Sequence, residues 1–523
     1  MKMTLSAKDS MARTTFIIIG ISASGKFLGL VRESVLAACF GAGVESDAYK
    51  LAVDIPMILL WAITASIATT FIPVYSEFLR NRTEEKTQHF INNIFNMVIL
   101  GSFILTVTGI FLSPVLVKLI APGFDQQALS LAIRLTRVIL LPLVFLALFN
   151  LGSVYLQTNG NFIVPALSWI VYNMIIIASM VLFSGAGIEA INAGTVIAVM
   201  GLFAVQIPSI VKSGYRFRLL LDFKEEGLRK ISSLTIPVLF SSLFSQFYLL
   251  INRMLASGLD QGSISAMDYA NKIYNTVFTV FILSIITVIY PNLSLLSDKV
   301  DVFKQSLVKG MKMIILISIP TTVGFFVLRT AIVSVLFERG AFNPYDTLVT
   351  SSALAGFSAG MLGVGLCELF NRSFYSIKDT KTPMIIGIIT VFINVLLNIL
   401  FVKLWGVGGL AFGTSVAGTL NGIMLFVKLR RKVGNMEGRE VLAVTFKTII
   451  ASAVMGITVL LLNSFLSEHV FIGTLLVLKL IRLAIDMAAG LIIYTAVLSI
   501  LKVEEVNAVI LRLKNKSISV FTT

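Results

Sequence analysis

Residues 383–402 read PMIIGIITVFINVLLNILFV, twenty positions in a row without a charged side chain. A helix rises about 1.5 Å per residue, so a run of this length matches the roughly 30 Å hydrocarbon core of a bilayer. Comparable runs, each ended by charged or Gly/Pro/Asn clusters, recur along the chain, and about fourteen can be marked. They centre on 14–38, 47–72, 91–113, 128–156, 162–183, 188–211, 231–257, 264–294, 311–333, 347–376, 383–402, 408–428, 443–466 and 473–501. Composition agrees: of 523 residues 57% are hydrophobic and 13% charged, whereas soluble domains carry roughly a quarter charged. So apolar a chain is not disordered, and its long unbroken runs exclude the alternating strands of a porin-type barrel. The expected fold class is an all-α polytopic membrane protein.

The charge balance sets the expected orientation. With the N-terminus in the cytoplasm, 28 of the 42 lysines and arginines fall in segments on that side, against four (Lys118, Arg329, Arg339 and Lys403) opposite. This is the asymmetry expected of cytoplasmic loops, so both termini are placed inside, and the net charge of +15 reads as topology rather than nucleic-acid binding. No connection exceeds about twenty residues, too short for a soluble catalytic or nucleotide-binding domain, which takes at least about 50. Cys39 and Cys367 make no disulfide framework, and His89 and His469 no metal cluster. Gly20 to Phe27 nearly spells a phosphate-binding loop, but Phe27 stands where a magnesium-ligating hydroxyl is needed and no strand precedes it. Leu36 to Cys39 resembles a lipoprotein cleavage box, yet Arg32 and Glu33 interrupt what would be the signal core. The glycine-rich stretches Gly356 to Gly365 and Gly406 to Gly422 read as close helix packing.

Laid on itself at a shift of about 220 residues, the chain repeats. Arg32 and Asp47 fall on Arg253 and Asp268, Pro73 to Ser76 on Pro291 to Ser294, and Leu119 and Gly123 on Leu336 and Gly340. Pro165 falls on Pro383, and Gly185 and Gly187 on Gly406 and Gly408. Six spans per copy is an even number, so the copies are parallel, a plan used by transporters that rock two halves about a central site. The expected domains are an N-terminal six-helix lobe over 1–222, a pseudo-symmetric C-terminal lobe over 223–440, and two extra spans with a cytoplasmic tail over 441–523.

Charges inside the spans point to the site. Lys26, Arg32, Lys50, Arg134, Arg137, Arg253, Lys272, Arg372, Lys479 and Arg482 lie within or at the edge of spans, with the acids Glu33, Asp47, Asp54, Asp268, Glu368 and Asp486. Each costs about 2.5–3.5 kcal/mol at a helix centre, so they are expected to face a wet cavity or one another. Helical spacing allows pairing within Asp47/Lys50/Asp54, Asp268/Lys272, Glu368/Arg372 and Lys479/Arg482/Asp486. Lys26, Arg32, Arg134, Arg137 and Arg253 have no acid three or four positions away, and Glu33 points about 100° from Arg32 round the helix. The two arginines Arg134 and Arg137 could equally snorkel to an interface. Guanidinium forks around a net-positive cavity suit phosphate oxygens, hence a phosphorylated or otherwise acidic substrate.

Leu28-Gly-Leu-Val-Arg32-Glu33, Phe40-Gly-Ala-Gly43, Asp47-Ala48, Ile55-Pro56 and Phe71-Ile-Pro73-Val-Tyr-Ser-Glu77 resemble the opening of the MurJ (MviN) lipid II flippases. Ser263 to Ala270, Phe337-Glu-Arg-Gly-Ala-Phe342, Phe374-Tyr375 and Asp379-Thr-Lys-Thr-Pro383 continue the likeness over about 20–430. The resemblance implies the multidrug/oligosaccharidyl-lipid/polysaccharide exporter fold, a bacterial plasma membrane, and outward flipping of a polyprenyl-diphosphate-linked peptidoglycan precursor by alternating access. It implies a cavity lined by Lys26, Arg32, Glu33, Asp47 and Lys272, to which the charge reading adds Lys50, Arg134, Arg137 and Arg253. Where the family has a lysine, two arginines and often an acid on its second helix, this chain has Asp54, Leu60, Trp61 and Ala65, leaving Lys50 as a partial substitute. The extra helices imply a groove for the isoprenoid tail, which Lys479 and Arg482 would serve. The expected protein is a non-enzymatic monomer without cofactor, nucleotide or nucleic-acid partner, driven by membrane potential or a monovalent cation; Asn394 and Asn398 are candidate neutral sodium ligands. The rival readings are a flippase for another lipid-linked oligosaccharide and a cation-coupled drug exporter, the latter expected to show unpaired acids.

Overall fold

The computed structural model describes residues 2–231, 250–295, 299–434, 436, 438–470 and 475–506, and among them every regular element is helical. They fall into two compact units, Met1–Ser265 with Arg339–Phe342, and Ala266–Glu338 with Asn343–Thr523. Most of the expected seventh span, the side chains of Trp61 and Ala65, and the basic C-terminal tail lie outside the described residues.

In the first unit the helices are α1 (Lys2–Phe40), α2 (Val44–Asn81), α3 (Glu84–Ile120), α4 (Gln126–Leu140), α5 (Leu143–Thr158), α6 (Ile163–Phe183), α7 (Ile188–Ala204) and the short α8 (Ile207–Lys212). Local chemistry sets their ends. Asp125 caps α4 by accepting the Ala128 amide at 2.8 Å, and Pro142, which has no N–H to give, separates α4 from α5 at a 49° bend. α1 packs on α6, and α2 on α4 and α5, around Leu51, Ile55, Leu135 and Ile176. A second core gathers the packed rings of Phe71, Tyr75, Phe90 and Tyr155. There Asn92, Asn93 and Asn96 of α3 bond the backbone of the extended segment after α8, at Arg216, Arg218 and Asp222. Buried amide side chains thereby satisfy a strap that has no sheet to join.

The second unit holds α9 (Ser263–Phe278), whose first residues belong to the first unit, followed by a π turn (Thr279–Leu283) and α10 (Ser284–Leu295). Then come α11 (Val300–Phe337), α12 (Pro344–Ser358), α13 (Met361–Ser376), α14 (Lys381–Val433), α15 (Gly438–Phe465) and α16 (Leu476–Ile500). α12 opens on a capping box, Asn343 and Asp346 each accepting the other's amide at 3.0 Å, with Pro344 in the first turn. α14 breaks at Trp405–Gly406, where Gly406 takes φ +52°, a conformation that favours glycine. Its two halves, the eleventh and twelfth expected spans, pack on each other through Gly409, where an added Cβ would lie 1.9 Å from the Phe401 carbonyl.

Seven described helices, or nine counting each bent pair as one, are long and apolar enough to cross a membrane. The halves of α14, the charged spans α1, α2 and α16, and the largely undescribed seventh span make the expected fourteen compatible with this architecture. The repeat is visible within each unit. The α12–α13 pair bends by 44° at Gly360, which stands 218 positions after Pro142, and the break at Gly406 follows that at Ser184–Gly187 by about the same shift.

At the far end of α14, Lys432 pairs with Asp379, whose oxygens also accept the Thr382 amide and hydroxyl at 3.0 and 2.6 Å. Burial pushes the Asp379 carboxyl up, but Lys432 and Thr382 outweigh it and hold it down at about 2. A depressed carboxyl stabilises the fold at every pH above its unfolded value, near 3.9, and loses that contribution only as pH falls toward about 2. Asp379→Asn is therefore expected to cost about 1 kcal/mol or less, Lys432 being half exposed. The deficit relative to the parent chain, read from detergent unfolding curves, should stay constant from about pH 8 to pH 5 and close below about pH 4.

Candidate functional site

α1 and α2 bring the first charges together. Arg32 reaches Glu33 at 2.7 Å and Lys50 reaches the other oxygen of Glu33 at 3.1 Å, with side chains only 21, 12 and 7% exposed. Adjacent positions on a helix diverge, but a guanidinium on four rotatable bonds is long enough to swing back, which is why Glu33 is a full partner despite its angle. The Arg32 guanidinium also lies over the ring of Tyr172 on α6, 5.6 Å from its centre. One turn beyond Lys50, Asp54 pairs with Arg253, which is almost wholly buried. Tyr49, just before Lys50, is held through its hydroxyl to Thr195 of α7 at 2.8 Å. The first unit thus contains two ion-pair groups one helical turn apart on α2, the first a carboxylate shared by two cations and carrying a net positive charge.

Two expectations are corrected by this geometry. Arg32 and Arg253 are ion-paired, and so is the exposed Arg134, whose Nε donates to Glu189 at 3.0 Å. Their carboxylates come from the adjoining position or from other helices, where a search at three and four positions does not look. Lys50 and Asp54 also find partners beyond the Asp47/Lys50/Asp54 spacing, in Glu33 and Arg253. Asp47 instead accepts the backbone amides of Gly262 and Ser265 at 2.8 and 2.7 Å, at the first turn of α9 within the same unit. Those N–H groups have no partner inside the helix, so a carboxylate fits there without any cation. Arg137 gives its Nε to Ser113 at 3.1 Å and is exposed, as is Lys26. Lys272 is half-buried on α9 in the second unit.

The motif Phe337 to Phe342 also finds its reason here. Arg339 donates to Ser34 of α1, the Ala341 amide donates to the Ala38 carbonyl at 2.8 Å, and Gly340 takes φ +61°. A Cβ at Gly340 would lie 2.2 Å from the Ala38 oxygen, so only glycine lets this turn lie against the end of α1.

In the second unit Glu368 and Arg372 pair at 3.1 Å as the spacing predicts. Lys479, by contrast, ignores Asp486 and spans to the end of α11, donating to Ser334 at 2.9 Å and Glu338 at 3.0 Å. Burial pushes the Glu338 carboxyl up, yet Lys479 and Thr347 prevail and hold it below the usual glutamate range. Arg482 is half-buried with an Nε that has no hydrogen-bond partner. Asn398 donates to Asn394 at 3.0 Å, both fully buried, and a Cβ on Gly413 would meet the Asn398 amide oxygen at 2.2 Å, so this pair helps close the halves of α14. Among the described residues no three His, Cys, Asp or Glu side chains converge as metal ligands. Tyr172, Thr195 and Ser113 carry no signal in the sequence that marks them as partners.

With this geometry in hand, the chain can be set beside known proteins. A family model described as "Lipid II flippase MurJ" matches residues 36–481. A "Probable lipid II flippase MurJ" of Vibrio cholerae is 31% identical over 80% of this chain and 82% of its own length. A solved structure titled as lipid II flippase MurJ in an inward closed conformation is 26% identical, covers 93% of this chain and 100% of its own, and superposes with a TM-score of 0.79. An inward-facing multidrug resistance MATE family transporter of the MOP superfamily, 15% identical over 81% of this chain and 99% of its own, gives 0.65 and speaks for the fold alone.

Proposed function

The chain belongs to the MurJ lipid II flippase family, and from that premise we propose that it moves lipid II, a polyprenyl-diphosphate-linked peptidoglycan precursor, from the cytoplasmic to the outer leaflet of a bacterial plasma membrane. The observation that carries this reading is the family match over 36–481, which includes Asp47, Lys50, Asp54 and Arg253. Arg32 and Glu33 stand just ahead of it and are tied to it by the Glu33–Lys50 bridge.

The chemistry of the first unit supports the reading. A sugar-diphosphate headgroup meets a prohibitive barrier in hydrocarbon, whereas its isoprenoid tail never needs to leave it. Arg32 offers a planar fork and Lys50 a point charge, the two donors suited to phosphate oxygens. Glu33 holds both in place, leaving one net positive charge, until the diphosphate competes for them, and Tyr172 supports the guanidinium face. Lys26, Asp47, Arg134, Arg137, Arg253 and Lys272 complete the proposed substrate path, with Lys479 and Arg482 beside the tail. In this reading lobes over 1–222 and 223–440 alternate access, and 441–523 adds the tail-binding pair. The protein works as a monomer, both termini in the cytoplasm, without chemical catalysis, and draws on membrane potential or a monovalent cation.

The test is complementation of a strain depleted of its own lipid II flippase. The parent chain is expected to restore growth, Arg32→Ala to abolish it and Arg32→Lys to restore it in part, with all three found at equal levels in the membrane. Failure of the parent chain turns the reading toward another lipid-linked saccharide, and full growth with Arg32→Ala removes Arg32 from the site.

A further inference from the structure

Three described aspartates are buried, Asp47, Asp346 and Asp486, and they are not satisfied alike. Asp47 accepts two backbone amides, and Asp346 sits in the capping box of α12. Asp486 lies in the middle of α16, wholly shielded from solvent, and its Oδ2 accepts a hydrogen bond of 2.6 Å from the Asn463 amide of α15. Its Oδ1 has no hydrogen-bond partner, and no lysine or arginine among the described residues comes within 4 Å of either oxygen. The surroundings are tightly packed: one turn on, a Cβ at Gly490 would lie 3.0 Å from Val459 and 3.5 Å from Met455 of α15.

Apart from Arg482, the charged groups on the elements around it are committed elsewhere. Arg482, a turn earlier on α16, attracts Asp486 through its charge but makes no ion pair with it. On α11, Lys312 holds Glu440 and Glu505, Arg329 is exposed and bonds the carbonyl of Phe326, and Glu338, just past its end, holds Lys479. On α15, Arg439 and Lys447 stand near the opposite end from Asn463, while Glu468 and His469 lie exposed in the π turn just past it. An ionised carboxylate in such a place is deprived of water without a directly paired cation in return, a cost that a bound proton removes.

We propose that Asp486 is a proton-binding site inside the membrane-spanning α15–α16 pair, a carboxyl that is neutral when the pair is closed and exchanges its proton with water when the pair opens. Asn463 orients the group by donating to Oδ2, leaving Oδ1 to carry the proton. This assignment is independent of which lipid the protein moves.

The full-length chain in detergent is treated with the apolar reagent dicyclohexylcarbodiimide at about pH 5.5, 7 and 8.5, then digested for peptide mass mapping. A protonated carboxyl adds through oxygen across a C=N bond of the reagent while its proton passes to nitrogen, and the adduct rearranges to a stable N-acylurea. Labelling is expected at Asp486 and not at Glu33, and it should fall at least about tenfold across the range as the proton is lost. The label should disappear in Asp486→Asn, whose amide oxygen still accepts from Asn463. Absence of label at Asp486 at the lowest pH overturns the proposal. So does label that does not change with pH, since that marks a permanently neutral structural carboxyl.

Discussion

Replacing Glu33 by glutamine is expected to destabilise the protein by about 3 kcal/mol, because one change strips the carboxylate from two poorly hydrated cations at once. Glutamine keeps the size of the side chain and an acceptor oxygen but not the charge. Arg32 at 2.7 Å and Lys50 at 3.1 Å then lie close together with their mutual repulsion uncancelled. At an effective dielectric near 20 and a separation of a few ångströms, such repulsion is worth a few kcal/mol. The lower end of the range measured for broken buried pairs is the fitting choice, because Arg32 keeps 21% of its side-chain surface. The check is a double-mutant cycle on unfolding in detergent. Glu33→Gln with Lys50→Met should recover at least half of the loss, since the second change removes the repelling charge. Growth in the complementation assay should not recover with it, because the diphosphate site has lost a cation. Equal stability of the parent and Glu33→Gln would mean that water, not Glu33, neutralises the pair.

The spans, the repeat and the glycine packing were legible in the sequence because each depends on residues close together in it. Gly406 allows a turn that other residues resist, and Gly187 takes positive φ about 220 positions earlier, so that break has a local signature that recurs. The bends at Pro142 and Gly360, inside runs that read as single spans, share no such signature. Local spacing likewise marks Glu368 and Arg372, one helical turn apart. The ion pairs that shape the candidate site were illegible for the opposite reason. Lys479 and Glu338 are separated by 141 positions, and Asp47 meets an amide 215 positions away. Spacing along one helix favours Lys479 with Asp486, but electrostatics acts in space, and the end of α11 offers Lys479 both Ser334 and Glu338. Cations without a neighbouring acid in the sequence therefore do not make an unpaired cationic chamber. What survives is narrower: one carboxylate shared by Arg32 and Lys50, with Tyr172 beneath.

Substitution of Gly363 by leucine is expected to prevent the second unit from folding, with an effect larger than that of Glu33→Gln. Along α12 and α13, Gly356, Gly360 and Gly363 face the second half of α14. A single added Cβ would meet the Gly408 carbonyl at 2.5 Å, the Ser415 Cα at 2.7 Å and the Thr419 Cα at 2.6 Å, respectively. Gly422 answers from the other side, where an added Cβ would lie 2.8 Å from the Gly363 carbonyl. These are backbone atoms, so no rotamer change relieves the overlap, and the helices must separate along their whole line of contact. In a bilayer, where lipid tails are as apolar as leucine, close van der Waals packing is what holds helices together, so lost contact is not made good by hydrophobic burial. Overpacking a soluble core costs about 1–3 kcal/mol, and a backbone clash that cannot relax should exceed it. Leucine at Gly387 serves as the control, since a Cβ there meets nothing within 4 Å on the outer face of α14. Gly387→Leu should yield monodisperse protein at parental levels while Gly363→Leu aggregates or is degraded, and Gly363→Ala should fall between them. Parental yield and unfolding midpoint for Gly363→Leu would show that α13 and α14 can part without loss, and that the glycine row is not what joins them.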